Sequence, residues 1–175
     1  MLFRSVCLVA PSWIIGKGSQ LQKQIKISNS HSIVLPPSIG SSTKLTTYTS
    51  ILMSQFWLFF YLVLNVKRNE KIIVYHSPWL ALSILIAKKI KGFKLILEVE
   101  EIYKDVQTIH PMLDKLENKI ITQSNAYIFS TELLEKKLNT QNKPYTILYG
   151  NYEVPKTITK PIDDGKIHLV YAGII

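Results

Sequence analysis

The sequence predicts an α/β fold of the Rossmann-like kind, a largely parallel sheet with helices on both faces. Two observations carry this expectation. Short apolar runs of strand length recur along the chain, separated by stretches with helical spacing or helix start and stop signals. In addition, Phe93–Val106 opens as an unalternating run, Leu95-Ile96-Leu97, the pattern of a strand buried on both faces, then changes to Glu98, Glu100, Glu101, Tyr103 and Asp105. Open parallel sheets bind ligands in the crevice outside the carboxyl ends of their strands, so chemistry is expected at this acidic edge.

From the N-terminus, Ser5–Ala10 reads as the first strand, closed by Pro11. A loop holding Gly16 and Gly18 follows, and Ser19 is placed to cap a short helix through Leu21 and Ile25. Ser32–Leu35 is a second strand, and the segment Pro36–Thr43, rich in Pro, Ser and Gly, a loop. A long apolar helix covers Leu45–Val66, and the polar turn Lys67–Lys71 leads into the strand Ile72–Tyr75 and His76. Ser77 suits an N-cap and Pro78 the first position of a helix to Lys91. Gly92 suits its left-handed stop, with lysines in the last turn where the helix dipole favours them. Lys94–Val99 is the next strand.

Beyond the acidic loop, Pro111–Ser124 is amphipathic, with Leu113, Leu116, Ile120 and Ile121 on one face. Ala126–Phe129 and Tyr145–Leu148 are short strands on either side of the helix Glu132–Asn139, which Ser130 or Thr131 caps. Val154–Gly165, with Pro155, Pro161 and Asp163-Asp164-Gly165, reads as a linker, and Ile167–Ala172 as a final strand. The expected division is a domain over residues 1–153, a linker over 154–166 and a strand over 167–175.

At 175 residues the chain can build one domain with a sizeable core. Its 47% hydrophobic and 19% charged composition excludes a generally disordered protein. Cys7, the single cysteine, cannot form an internal disulfide, which favours a reducing, cytoplasmic compartment and a small buried thiol rather than a nucleophile. The net charge of +9 favours phosphate-bearing partners, with a solvated lysine-rich surface as the alternative. No nucleic-acid-binding motif is present, so a nucleic acid is not expected among them. The apolar run after Met1–Arg4 is short and lacks a small-residue cleavage site, so it is not a signal peptide. Ile51–Val66 spans about 16 residues and includes Ser54, Gln55 and Asn65, short of the roughly 18 to 20 that a spanning helix needs. It reads as a buried or membrane-surface helix, and Val66-Lys67-Arg68 suits an interfacial anchor.

Glu100 and Glu101 are the strongest candidates for catalysis, since adjacent carboxylates at a strand end can orient a substrate hydroxyl or tune each other's protonation. A solvated acidic loop is the alternative. Gly16 and Gly18 precede a helix start, where backbone N–H groups can approach a phosphate, although the spacing fits neither a Walker motif nor GxGxxG, and a plain turn is the alternative. His76, at a strand end, is either a cleft residue or a hydrogen-bonded structural histidine. With Tyr103 of the acidic stretch, these form the candidate substrate-binding set. His31, His110 and His168 lack partners at ligand spacing, so no metal is expected. Core packing accounts for most of Trp13, Trp57, Phe59, Phe60, Tyr61 and Trp79, and a membrane-binding face accounts for the rest.

The strand followed by Glu98-Val99-Glu100-Glu101-Ile102-Tyr103-Lys104-Asp105-Val106 resembles the amino-terminal domain of a bacterial GT-B glycosyltransferase of the family 4 kind. His168-Leu-Val-Tyr-Ala-Gly173-Ile-Ile resembles the first strand of that family's donor-binding domain. The resemblance implies transfer of a sugar from a nucleotide-sugar to a saccharide or lipid-linked acceptor in polysaccharide or glycolipid synthesis, at the inner face of the cytoplasmic membrane. It implies an acceptor-holding N-domain without a cofactor of its own. The nucleotide-sugar and the family's glutamate pair belong to a second domain, so activity is expected only with that half, from the same or a separate chain. In relatives a histidine or acid at this strand end contacts the sugar, and the Glu100-Glu101-Ile102-Tyr103 wording puts glutamate there. Two other readings remain: a non-catalytic acceptor-binding or membrane-recruiting subunit of a split transferase, and an unrelated Rossmann-like nucleotide-binding module.

Overall fold

A computed structural model describes residues 6–9, 23–26, 31–37 and 43–150. The element order is β1 (Val6–Val9), β2 (Lys23–Lys26), β3 (His31–Leu35), α1 (Lys44–Asn65), β4 (Lys71–Tyr75) and α2 (Ala81–Lys91). Then come β5 (Lys94–Val99), α3 (Tyr103–Val106), α4 (Pro111–Gln123), β6 (Ala126–Phe129), α5 (Glu132–Leu138) and β7 (Tyr145–Ile147). The strands β4-β5-β6-β7 form a parallel sheet in that order, flanked by helices. This is the expected α/β, Rossmann-like architecture. A second sheet has the order β1-β3-β2, with β1 parallel and β2 antiparallel to β3. The proposed linker and final strand, within residues 151–175, lie outside the described residues, as do Gly16 and Gly18.

Sequence signals account for most boundaries. Thr43 caps α1 through a capping box with Thr46, a start hidden inside the expected loop Pro36–Thr43. Gly92 ends α2 in the left-handed region at φ 69°, as a C-cap glycine should. Thr131 caps α5 by accepting from Leu134 N at 3.3 Å.

Two boundaries differ from expectation. The short helix through Leu21 and Ile25 is corrected at its C-terminal end: Lys23–Lys26 is strand β2, with Ile25 opposite Ile33. Branched isoleucines at 25 and 27 between Lys and Gln residues make a period-two pattern, which wins over a lone serine cap. The regular part of α2 begins at Ala81 rather than at Pro78. Leu80 N donates to Ser77 O and Ala81 N to Pro78 O, so one tight turn precedes the helix.

The core lies where α1, α2 and α4 meet one face of β5 and β6. Leu95, Leu97 and Val99 of β5 bury against Phe129, Ile84 and Ile120. At about 25 cal/mol per Å² of apolar surface, side chains of this size each contribute roughly 1.5–3 kcal/mol when fully buried. The alternate residues Ile96 and Glu98 are only half-buried, so β5 has one fully packed face.

Candidate functional site

The carboxyl ends of β4 and β5 are locked side by side. His76 N donates to Glu98 O at 2.8 Å, continuing the β4–β5 pairing one residue past β4. Ser130, just after β6, donates its N–H to Val99 O at 3.1 Å and its hydroxyl to Glu100 O at 3.2 Å. The backbone entering the acidic loop is therefore held from both flanking strands before the chain turns into α3.

Beneath this loop lies a buried His–Glu pair. His76 and Glu117 are 2% and 1% exposed, with His76 Nε2 at 3.4 Å from Glu117 Oε1. The other imidazole nitrogen, Nδ1, faces Glu101 O at 3.1 Å, and because a carbonyl can only accept, Nδ1 carries hydrogen. A neutral ring would then turn the bare lone pair of Nε2 toward a carboxylate oxygen, two acceptors facing each other. At this separation Nε2 makes no hydrogen bond among the described residues, and neither does the second Glu117 oxygen, Oε2. Burial lowers the His76 pKa against the pull of the Glu101 carbonyl. Burial raises that of Glu117 against the amides of Tyr103 and Lys104, with Asp114 and Asp105 adding to the rise. Both shifts disfavour the charged form of the group concerned.

The pair grips the acidic loop at two points. Glu117 Oε1 accepts from Tyr103 N at 2.8 Å, and His76 holds the carbonyl of Glu101. The Tyr103 ring meets the His76 ring edge-to-face, with centroids 5.6 Å apart, and Trp79 at 5.3 Å. Above the loop, Tyr75 OH donates to Glu100 Oε2 at 3.0 Å. Burial, then the Glu100 bond, push the Tyr75 hydroxyl to a pKa of about 12, so it remains a donor throughout the neutral range. Lys137 pairs with Asp105 at 2.7 Å and Lys104 with Asp114 at 3.1 Å, exposed contacts that add little energy.

Of the sequence-predicted residues, Glu100, Glu101, Tyr103 and His76 converge on this edge. They divide by role: the side chains of Glu100 and Glu101 are exposed, whereas His76 is enclosed and acts by positioning backbone. The arrangement can present two carboxylates and a tyrosine hydroxyl to a polyhydroxylated ligand. Glu117 was missed. Its signal was present: four residues after Leu113 and three before Ile120, it falls on the apolar face of α4.

A separate groove of about 390 Å³ lies between β2, β3 and the C-terminal half of α1, lined by Gln24, Val34, Trp57, Phe60, Leu64 and Asn65 among others. Among the described residues no cluster of His, Cys, Asp and Glu is arranged to hold a metal ion. Comparison with protein-family models and with curated proteins returns no match.

Proposed function

We propose that the chain is the acceptor-side domain of a GT-B, family 4-like glycosyltransferase, acting in polysaccharide or glycolipid synthesis at the inner face of the cytoplasmic membrane. A nucleotide-sugar is the co-substrate, held by a second domain, and the chain without that domain does not transfer sugar. The observation that most supports this reading is the acidic loop at the carboxyl edge of the parallel sheet, anchored from below by His76 and Glu117 and from the side by Ser130. In this reading Glu101 and Glu100 orient an acceptor hydroxyl or accept its proton, and Tyr103 lies beside them.

Two measurements test it. Titration of the chain with a saccharide acceptor, followed by amide NMR, should perturb Glu100, Glu101 and Tyr103, and a nucleotide-sugar should not. Tight dinucleotide binding around Gly16 and Gly18 instead would overturn it in favour of a nucleotide-binding module. With a donor-binding domain supplied, Glu101→Gln should lower kcat/KM about 10²-fold, roughly 2.7 kcal/mol, if that carboxylate acts in the transition state. Glu100→Gln should cost less, because its carboxylate is already engaged by Tyr75. Full activity in both variants would remove the acidic loop from the mechanism.

A further inference from the structure

Helix α1 carries apolar side chains on both its buried and its exposed sides. Its buried side carries Ser50 and Ser54 beside Leu58 and Leu62. Its exposed side carries Leu45, Tyr48, Leu52, Phe56, Phe60 and Leu64, spaced by three and then four residues, with Leu45 73% and Leu64 76% exposed. At 1.5 Å per residue the stripe is roughly 30 Å long. Helix α2 packs alongside, with Ser83 Oγ donating to Gln55 Oε1 at 2.7 Å, and it leaves Leu82, Ile86 and Ile90 exposed in turn. Apolar surface extending over two neighbouring helices exceeds what scattered exposed residues produce.

One end of these helices is strongly basic. Asn69 N donates to Gly92 O at 3.2 Å and Lys94 N to Glu70 O at 2.7 Å, which brings the turn after α1 against the end of α2. Lys67, Arg68, Lys71, Lys89, Lys91 and Lys94 gather there with Glu70 as the one acid of the two turns, and among the described residues none of the six forms a salt bridge. Helix α1 itself contains no acidic residue, and its single charged residue is Lys44. No helix among the described residues is long and apolar enough to cross a membrane.

We infer that the exposed stripe of α1, continued by Leu82, Ile86 and Ile90 of α2, lies in the interface of an anionic lipid bilayer with the basic turns on the headgroups. The helix lies along the surface, its aromatic and leucine side chains reaching the acyl boundary while Lys67, Arg68 and Lys89 meet lipid phosphates. This deepens the membrane-face location within the proposed function and is independent of the transfer reaction.

Flotation of the 175-residue chain with phosphatidylcholine vesicles, with and without phosphatidylglycerol, tests it. Binding to the anionic vesicles at low salt is expected to exceed binding to neutral ones, and to fall as ionic strength rises above about 0.1 M. Two variants separate the contributions: Leu52→Glu with Phe56→Glu removes the apolar contact, and Lys67→Glu with Arg68→Glu reverses charge at the rim. Each should weaken binding about tenfold or more with an unchanged melting temperature. Wild-type affinity in both variants would overturn the inference. So would equal binding to neutral and anionic vesicles, or resistance to carbonate extraction. A dimer by light scattering that Leu52→Glu with Phe56→Glu returns to monomer, without vesicle binding by the wild type, would reassign the face to a protein partner. Sugar transfer to a water-soluble acceptor by the two-domain form reads the functional proposal separately, whichever way the vesicles respond.

Discussion

Helices α1 and α4 break the same rule in opposite directions. An amphipathic helix should bury its apolar residues and expose its polar ones. Apart from Met112 in its first turn, α4 does so except at Glu117, which it buries among Ile120 and Ile121. α1 buries Ser50 and Ser54 beside Leu58 and Leu62, and exposes leucine, tyrosine and phenylalanine along its length. The exception in α4 has its partners inside the molecule: His76, the amide of Tyr103 and, through them, the acidic loop. The exception in α1 is matched by nothing among the described residues. A buried polar residue is explained by what it touches, and an exposed apolar stripe by what covers it.

Substitutions along the two helices sharpen this contrast. The largest effect is expected from Glu117→Ala, which removes the acceptor for Tyr103 N and strands the His76 ring in a dry pocket. Unfolding by urea should show a loss of about 3 kcal/mol. A loss below about 1 kcal/mol would mean that the pair does not hold the loop. On α1, Ser54→Leu should cost about 2 kcal/mol, because a residue 1% exposed has no room for added methylenes. A stabilising Ser54→Leu would show that the packing around the buried serines of α1 is loose.

Smaller changes should appear in the pH dependence. Burial lowers the His76 pKa, so the neutral ring favours the fold above about pH 6.5 and that contribution is lost as pH falls toward the folded value. Burial raises the Glu117 pKa, so the protonated acid favours the fold below about pH 4.5 and that contribution is lost as pH rises through the folded value. Glu117→Gln mimics the protonated acid. Below about pH 4.5 it should change stability by less than about 1 kcal/mol, and it should abolish the share of the alkaline fall that Glu117 contributes. An alkaline limb unchanged in Glu117→Gln would place the proton elsewhere. The smallest effect belongs to the outward face of α1: Leu52→Ser should alter stability by no more than about 0.5 kcal/mol in thermal melts.

The parallel half of the fold was legible because its signals are local: unalternating strands, Gly92, and Thr131 before an acidic first turn. What escaped depends on tertiary partners. The sequence alone shows Glu117 as one acid among apolar neighbours, and only the fold brings it to His76, forty-one positions earlier. Strand β2 was misread because Ile25 owes its conformation to pairing with Ile33, whereas the Ser19 signal was short-range. The acidic loop was found as a stretch, but its division into exposed carboxylates and a buried anchor was not. Sequence reports the residues of an edge and not the depth at which each one lies.

The strand order β4-β5-β6-β7 also bears on how the chain acquires its structure. Each of these strands pairs with the next one in sequence, so every step of sheet growth closes only a single crossover. Contacts of this kind impose a small loop-closure entropy and form early. On a ribosome, β4 and α2 can dock β5 as soon as it emerges, and each later strand finds its template already in place. Part of that sequence is local to the candidate site. Tyr75 and His76 can engage Glu100 and Glu101 as the loop emerges, whereas the Glu117 anchor waits for α4 and the Ser130 anchor for β6.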